Sequence, residues 1–153
     1  MNISKNADPN SVFLDTNFLI YFLEDTNYYK NEIKAIINDI TEKNYSLYIS
    51  TITEMEYLVG LYKKTKANKV YSAIKSFYSA IDDVGMSVIS IDSSIANTSA
   101  KLRAEYGFKQ MDSIQLGTAI ELGCKYFITN DFELKRCNEI NVICIENYSN
   151  DLL

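Results

Sequence analysis

Five short apolar blocks lack strict alternation: SVFLD (11–15), SLYIS (46–50), MSVISI (86–91), KYFIT (125–129) and NVICI (141–145). A strand that faces water on one side alternates apolar and polar residues, so blocks of this kind meet apolar partners on both faces. Helical periodicity fills most of the intervals. Ile33, Ile36, Ile37 and Ile40 mark a helix over 28–43, and Ile52, Met55, Leu58, Val59 and Tyr62 share one face of another. Val70, Ile74, Phe77 and Ile81 mark a third, and a first helix begins in NFLIYFLE directly after Asp15. Two more run over 93–106, ended by Gly107, and from about Asp112 to Leu122, capped by Gly123. Strands buried on both faces and separated by helices fold as a parallel sheet with a helical layer on each side. The expected class is therefore α/β, with four to five parallel strands.

A chain of 153 residues is expected to form a single domain, spanning 1–153 with a core of about 11–147. A domain of that size buries roughly 70% of its unfolded surface, and 47% hydrophobic residues supply the core. The first ten and last five residues are expected to fray. MNISKNADPNS is polar, which argues against a leader, and no apolar run approaches the ~20 residues of a membrane span. A cytoplasmic location follows as the expectation. Cys124, Cys137 and Cys144 match no zinc spacing and read as buried reduced thiols.

Histidine is absent. That excludes serine–histidine and cysteine–histidine triads, histidine acid–base nucleases and nearly all zinc hydrolases. Carboxylates, hydroxyls, lysines or a hard cation such as Mg²⁺ or Mn²⁺ remain to do chemistry. The net charge of −5 opposes nucleic-acid binding at first sight. Two bound divalent ions would bring it to about −1 and leave the local field to decide. Lys63, Lys64, Lys66 and Lys69 form a local basic cluster, more simply read as a solvated helix face or turn.

Against that background four acids stand out, each at or just past a change from strand to helix or turn: Asp15, Glu54, Asp112 and Asp131. Each has a plain local alternative. Asp15 could cap the helix that follows it. Glu54 could close a capping box in Thr51-Ile52-Thr53-Glu54, and Asp112 could open another with Gln115. Asn130-Asp131 could be a simple turn. A cap at Glu54 tolerates Glu54→Gln, whereas a metal ligand does not. In a parallel sheet, however, all four would converge where such sheets bind ligands, beyond the carboxyl ends of the strands. Carboxylates gathered there repel one another unless a cation joins them. A divalent-metal site acting on phosphate esters is the expectation.

These residues resemble the PIN-domain family over about Ser11 to Asn147. VFLDTNFLIYFLE, STITEMEYLVG, the LR of AKLRAEYG, MDSIQLGTAIELG and YFITND carry the likeness, and the acids follow the family's order. The resemblance implies a parallel sheet between helices and an Mg²⁺- or Mn²⁺-dependent ribonuclease similar to VapC-type toxins, held inactive by an antitoxin. It assigns the ligand positions to Asp15, Glu54, Asp112 and Asp131, with Thr16, Asn17, Thr129 and Asn130 behind them. A metal-activated water would attack an RNA phosphodiester in line with the 3′-oxygen, leaving 5′-phosphate and 3′-hydroxyl ends. Lys101, Arg103 or Lys109 could steer the backbone, and the chain's twelve tyrosines offer stacking surfaces or, more simply, filler.

An RNA substrate, an antitoxin and a second copy in a homodimer are the expected partners. A housekeeping RNA-processing nuclease and a PIN-like scaffold that binds without cutting are the alternatives. A haloacid-dehalogenase phosphatase wants an aspartate where Asn17 stands, and a receiver domain's acidic pair, threonine and lysine do not line up.

Overall fold

Val12, Phe13 and Leu14 have no exposed surface, and a strand that dry belongs in the middle of a sheet. It lies there in the computed structural model, which describes residues 8–24, 27–146, 148, 149 and 153. The strands are β1 (Ser11–Leu14), β2 (Ser46–Ser50), β3 (Met86–Ile89), β4 (Tyr126–Thr129) and β5 (Asn141–Cys144). They pair in the order β3-β2-β1-β4-β5, and every pair is parallel. Val12 stands between Leu47 on one side and Tyr126 on the other.

Six helices connect the strands: α1 (Thr16–Leu23), α2 (Lys30–Glu42), α3 (Thr51–Lys64), α4 (Ala67–Asp83), α5 (Ser93–Tyr106) and α6 (Gln110–Leu122). A short 3-10 helix, Phe132–Arg136, joins β4 to β5. Successive strand residues point to opposite faces, so the sheet divides the core in two. On one side Val12, Leu14 and Ile128 pack with Phe18, Ile36 and Phe77 from α1, α2 and α4. On the other Phe13 and Phe127 pack with Leu102 and Leu116 from α5 and α6. The rings of Phe13 and Phe127 stack at 5.5 Å and 6° across neighbouring strands. Burying one such side chain stabilises the fold by about 1.5–3 kcal/mol.

The expected elements are all present, with shifted ends. Gly107 and Gly123 close α5 and α6 at φ of 70° and 68°, as their position implies. α6 starts at Gln110, two residues before Asp112. α2 starts at Lys30, because Tyr29 is in the left-handed region at φ 56°. Cys124, Cys137 and Cys144 are free and buried. The expected fraying at the ends falls mainly on residues 1–7 and 150–152, which lie outside the described residues. Among the described residues no helix is long and apolar enough to cross a membrane.

One apolar face lies where the core does not reach. Met55, Val59 and Tyr62 of α3 are 44%, 43% and 64% exposed. The opposite side of α3, turned inward, carries a polar residue, Thr53, that is fully buried. A polar residue at that depth needs polar neighbours, and it has them at the site described next.

The chain leaves β1 for β2 and β3 on one side, then crosses to β4 and β5 on the other. The order therefore reverses between β1 and β4, and the carboxyl ends of those two strands open a crevice.

Candidate active site

Asp15 stands at this crevice, directly after β1. Its N–H continues the pairing of the strands by donating to the Ile128 carbonyl at 2.9 Å. The residue is 7% exposed, and its carboxylate accepts from the Thr16 N–H at 2.8 Å and the Thr129 hydroxyl at 2.7 Å. Thr129 closes β4, and its oxygen accepts in turn from the Asp131 N–H at 3.0 Å. A single hydroxyl thus ties the ends of the two central strands together. Asp131 Oδ1 accepts from the Glu133 N–H at 2.9 Å and caps the 3-10 helix, so the local role is real for that oxygen.

Asp112 lies in the first turn of α6, partly buried. The capping box with Gln115 does not form: the cap position is Lys109, and the Gln115 side chain is bonded elsewhere.

Glu54 makes its contact away from Asp15. Ser50 caps α3, accepting from the Ile52 and Thr53 N–H groups at 3.1 and 3.4 Å. Glu54 turns toward α4 and accepts from the Tyr78 hydroxyl. Two residues on, roughly 200° around the helix, Glu56 faces inward and accepts from the Thr16 hydroxyl. The structure thus gathers Asp15, Asp112, Asp131 and Glu56, and leaves Glu54 outside. The sequence held a signal for this. Thr53 and Glu56, three apart, form a polar stripe in a helix whose apolar stripe, Met55-Val59-Tyr62, lies on the opposite face.

Electrostatics joins the four acids. Burial pushes the Asp15 carboxyl up from 3.8 to about 6, and the charges of Asp112 and Glu56 push the same way. Hydrogen bonds from Thr129 and Thr16 oppose this in part. The Asp112 carboxyl is raised by burial, then by Asp131 and Glu56, while the Lys109 ammonium counters them.

The donors are oxygen throughout, which suits a hard divalent cation. Two observations fit one. Asp15 is a buried carboxylate among like charges, and Asn130 Oδ1 is buried with no hydrogen-bond donor among the described residues. As the side chains stand, no three acidic groups among the described residues surround a single point. Asp131 Oδ1 is turned to the Glu133 N–H, so closing on an ion requires its side chain to rotate.

Of the four residues expected behind the ligands, Thr16 and Thr129 contact the acids directly and Asn130 adjoins Asp131. Asn17 is exposed and makes no hydrogen bond to the acids among the described residues. Lys109 lies beside Asp112, whereas Lys101 pairs with Glu139 at 3.8 Å. Lys63, Lys64, Lys66 and Lys69 are exposed around the α3–α4 junction. Phe132, directly after Asp131, is 58% exposed, with Lys135 Nζ 5.0 Å from its ring centre.

Residues 12–140 match the PIN domain family. The fold superposes on a chain of the toxin–antitoxin complex from Klebsiella pneumoniae with a TM-score of 0.67 and 27% identity, covering 88% of this chain and 98% of that one. DNA-bound VapBC from Salmonella typhimurium gives 0.67 and 23%, covering 88% and 98%. FitAcB from Neisseria gonorrhoeae gives 0.72 and 18%, covering 90% and 99%. No protein with a curated description matches the sequence.

Proposed function

This chain belongs to the PIN-domain family, and on that premise we propose that it is a divalent-metal-dependent ribonuclease, the toxin of a toxin–antitoxin pair. One observation carries the reading. Asp15, Glu56, Asp112 and Asp131 come from four separate segments of the chain and repel one another at the crevice where the strand order reverses. Independent helix caps would not meet in this way.

Asp15, Glu56, Asp112 and Asp131 are the proposed ligands. A bound Mg²⁺ or Mn²⁺ supplies an activated water and positive charge against the reacting phosphate. Thr129 and the Thr16 amide hold the Asp15 carboxylate in place before any ion arrives. Lys109 offers a cation to the phosphate backbone at the rim, and Phe132 offers a ring face to an unpaired base. No histidine takes part as acid or base.

The similarity to toxin–antitoxin complexes supports an antitoxin as partner. The exposed stripe of Met55, Val59 and Tyr62 suits a second copy of the chain.

The test is cleavage of structured and unstructured RNA with Mn²⁺, with EDTA and with two glutamate variants. Glu56→Gln is expected to lose more than about 100-fold in rate, beyond the roughly 10–100-fold typical of groups behind the ligands. Glu54→Gln is expected to stay within severalfold of wild type. Cleavage that persists in EDTA, or a fully active Glu56→Gln, removes the proposal.

A further inference from the structure

Beneath the carboxylates lies a set of buried polar side chains, Ser50, Thr53, Thr16 and Gln115, between 0 and 6% exposed. They come from the end of β2 and from α3, α1 and α6, which are otherwise packed through apolar groups. The Ser50 oxygen already accepts from two backbone N–H groups at the start of α3. Its own proton goes to Gln115 Oε1. That settles which way the amide faces: the carbonyl toward Ser50, the nitrogen toward the threonines.

Gln115 Nε2 then donates to Thr53 Oγ1 at 2.7 Å and to Thr16 Oγ1 at 3.2 Å, and both of its protons are used. Thr16, having accepted one of them, turns its own proton to Glu56 Oε2. The chain of donors therefore has a direction. It runs from the first amides of α3 through Ser50, Gln115 and Thr16, and ends on a carboxylate of the site. Among neutral side chains only an amide accepts at one end and donates twice at the other. A network serving packing alone has no need to finish on an acid in the crevice.

We propose that Gln115 is a positioning residue: through Thr16 it holds the Glu56 carboxylate turned toward Asp15 and Asp112. The inference rests on the nuclease reading above and names what keeps one of its ligands aimed.

The experiment is a calorimetric Mn²⁺ titration of the full-length metal-free protein, paired with kinetics on a short RNA. Gln115→Met keeps the length and loses both functions of the amide. It is expected to bind Mn²⁺ about tenfold or more weakly, with kcat reduced by a similar factor and KM for RNA nearly unchanged. Thr16→Val should match it, Thr16→Ser should restore wild-type affinity, and Gln115→Met with Thr16→Val should add little to either alone. Among the described residues the Thr118 hydroxyl donates within its own helix, to the Ile114 carbonyl at 2.7 Å. Thr118→Val should therefore lower the melting temperature without moving Mn²⁺ affinity, separating positioning from stability.

Wild-type Mn²⁺ affinity in Gln115→Met overturns the proposal. So does wild-type affinity in Thr16→Val, which decides the matter by itself should Gln115→Met fail to fold. Wild-type protein that binds no Mn²⁺ overturns the nuclease reading itself, a different result from normal binding that the variants leave unchanged.

Discussion

At Asp15 a charge is held where the surroundings oppose it. The group is buried beside Asp112 and Glu56, and its pKa rises from 3.8 to about 6. A carboxyl whose folded pKa is raised gives its full stabilising contribution below the unfolded value and loses it as pH climbs through the folded one. Metal-free protein should thus lose stability from this group between about pH 4 and pH 7, by about 3 kcal/mol at most. Asp15→Asn removes the charge and keeps an acceptor for the Thr16 amide. In EDTA it is expected to be more stable than wild type by about 1–3 kcal/mol near pH 7.5, with the gain falling to about a third of that near pH 4.5. Urea unfolding at the two pH values measures this, and a gain of equal size at both would mean that charge is not its source. Asp15, Asp112 and Asp131 can be picked out as candidates because each adjoins a recognisable boundary. Glu54 and Glu56 are harder to tell apart in the sequence: Ser50 rather than Thr51 caps α3, so no capping box holds Glu54, and a helix turns about 100° with every residue.

At the scale of elements, α5 and α6 pack antiparallel at a distance that glycine allows. A methyl group on Gly117 would overlap Ser99 Oγ and come within 3.1 and 3.2 Å of the Ser99 backbone nitrogen and Cα. The side chain could rotate away; the backbone of a neighbouring helix cannot. Gly117→Ala is expected to destabilise by about 1–3 kcal/mol despite the better helix propensity of alanine. Gly60, inside α3, has nothing within 4 Å of such a methyl, so Gly60→Ala should stabilise by about 0.5–1 kcal/mol. Urea midpoints for the pair check both signs, and equal signs would contradict the close packing. These helices were readable from periodicity, because apolar residues every three or four positions leave few alternatives. Their ends were less so. The left-handed Tyr29 that delays α2 carries no residue-type signal of the kind that Gly107 and Gly123 carry.

For the whole molecule, the apolar stripe on α3 bears on assembly. Val59→Lys places a charge among Met55, Leu58 and Tyr62, where a second copy is proposed to sit. Sedimentation is expected to find wild type as a dimer and Val59→Lys as a monomer with an unchanged melting temperature, since Val59 is 43% exposed in the single chain. A monomeric wild type at tens of micromolar would remove the dimer. The stripe shows how far pattern reading reaches. Periodicity reports that a face is apolar and is silent about whether core or partner covers it. The parallel sheet, its two helical layers and the dry central strand were present in the order of residue types alone, because burial and hydrogen bonding leave local segments few ways to satisfy their backbones. Which glutamate turns inward, and how Gln115 reaches Thr16 and Ser50 across 99 and 65 residues of chain, emerged only once the helices had docked on the sheet. Contacts between segments so far apart depend on rotation about each helix axis, and packing sets that rotation.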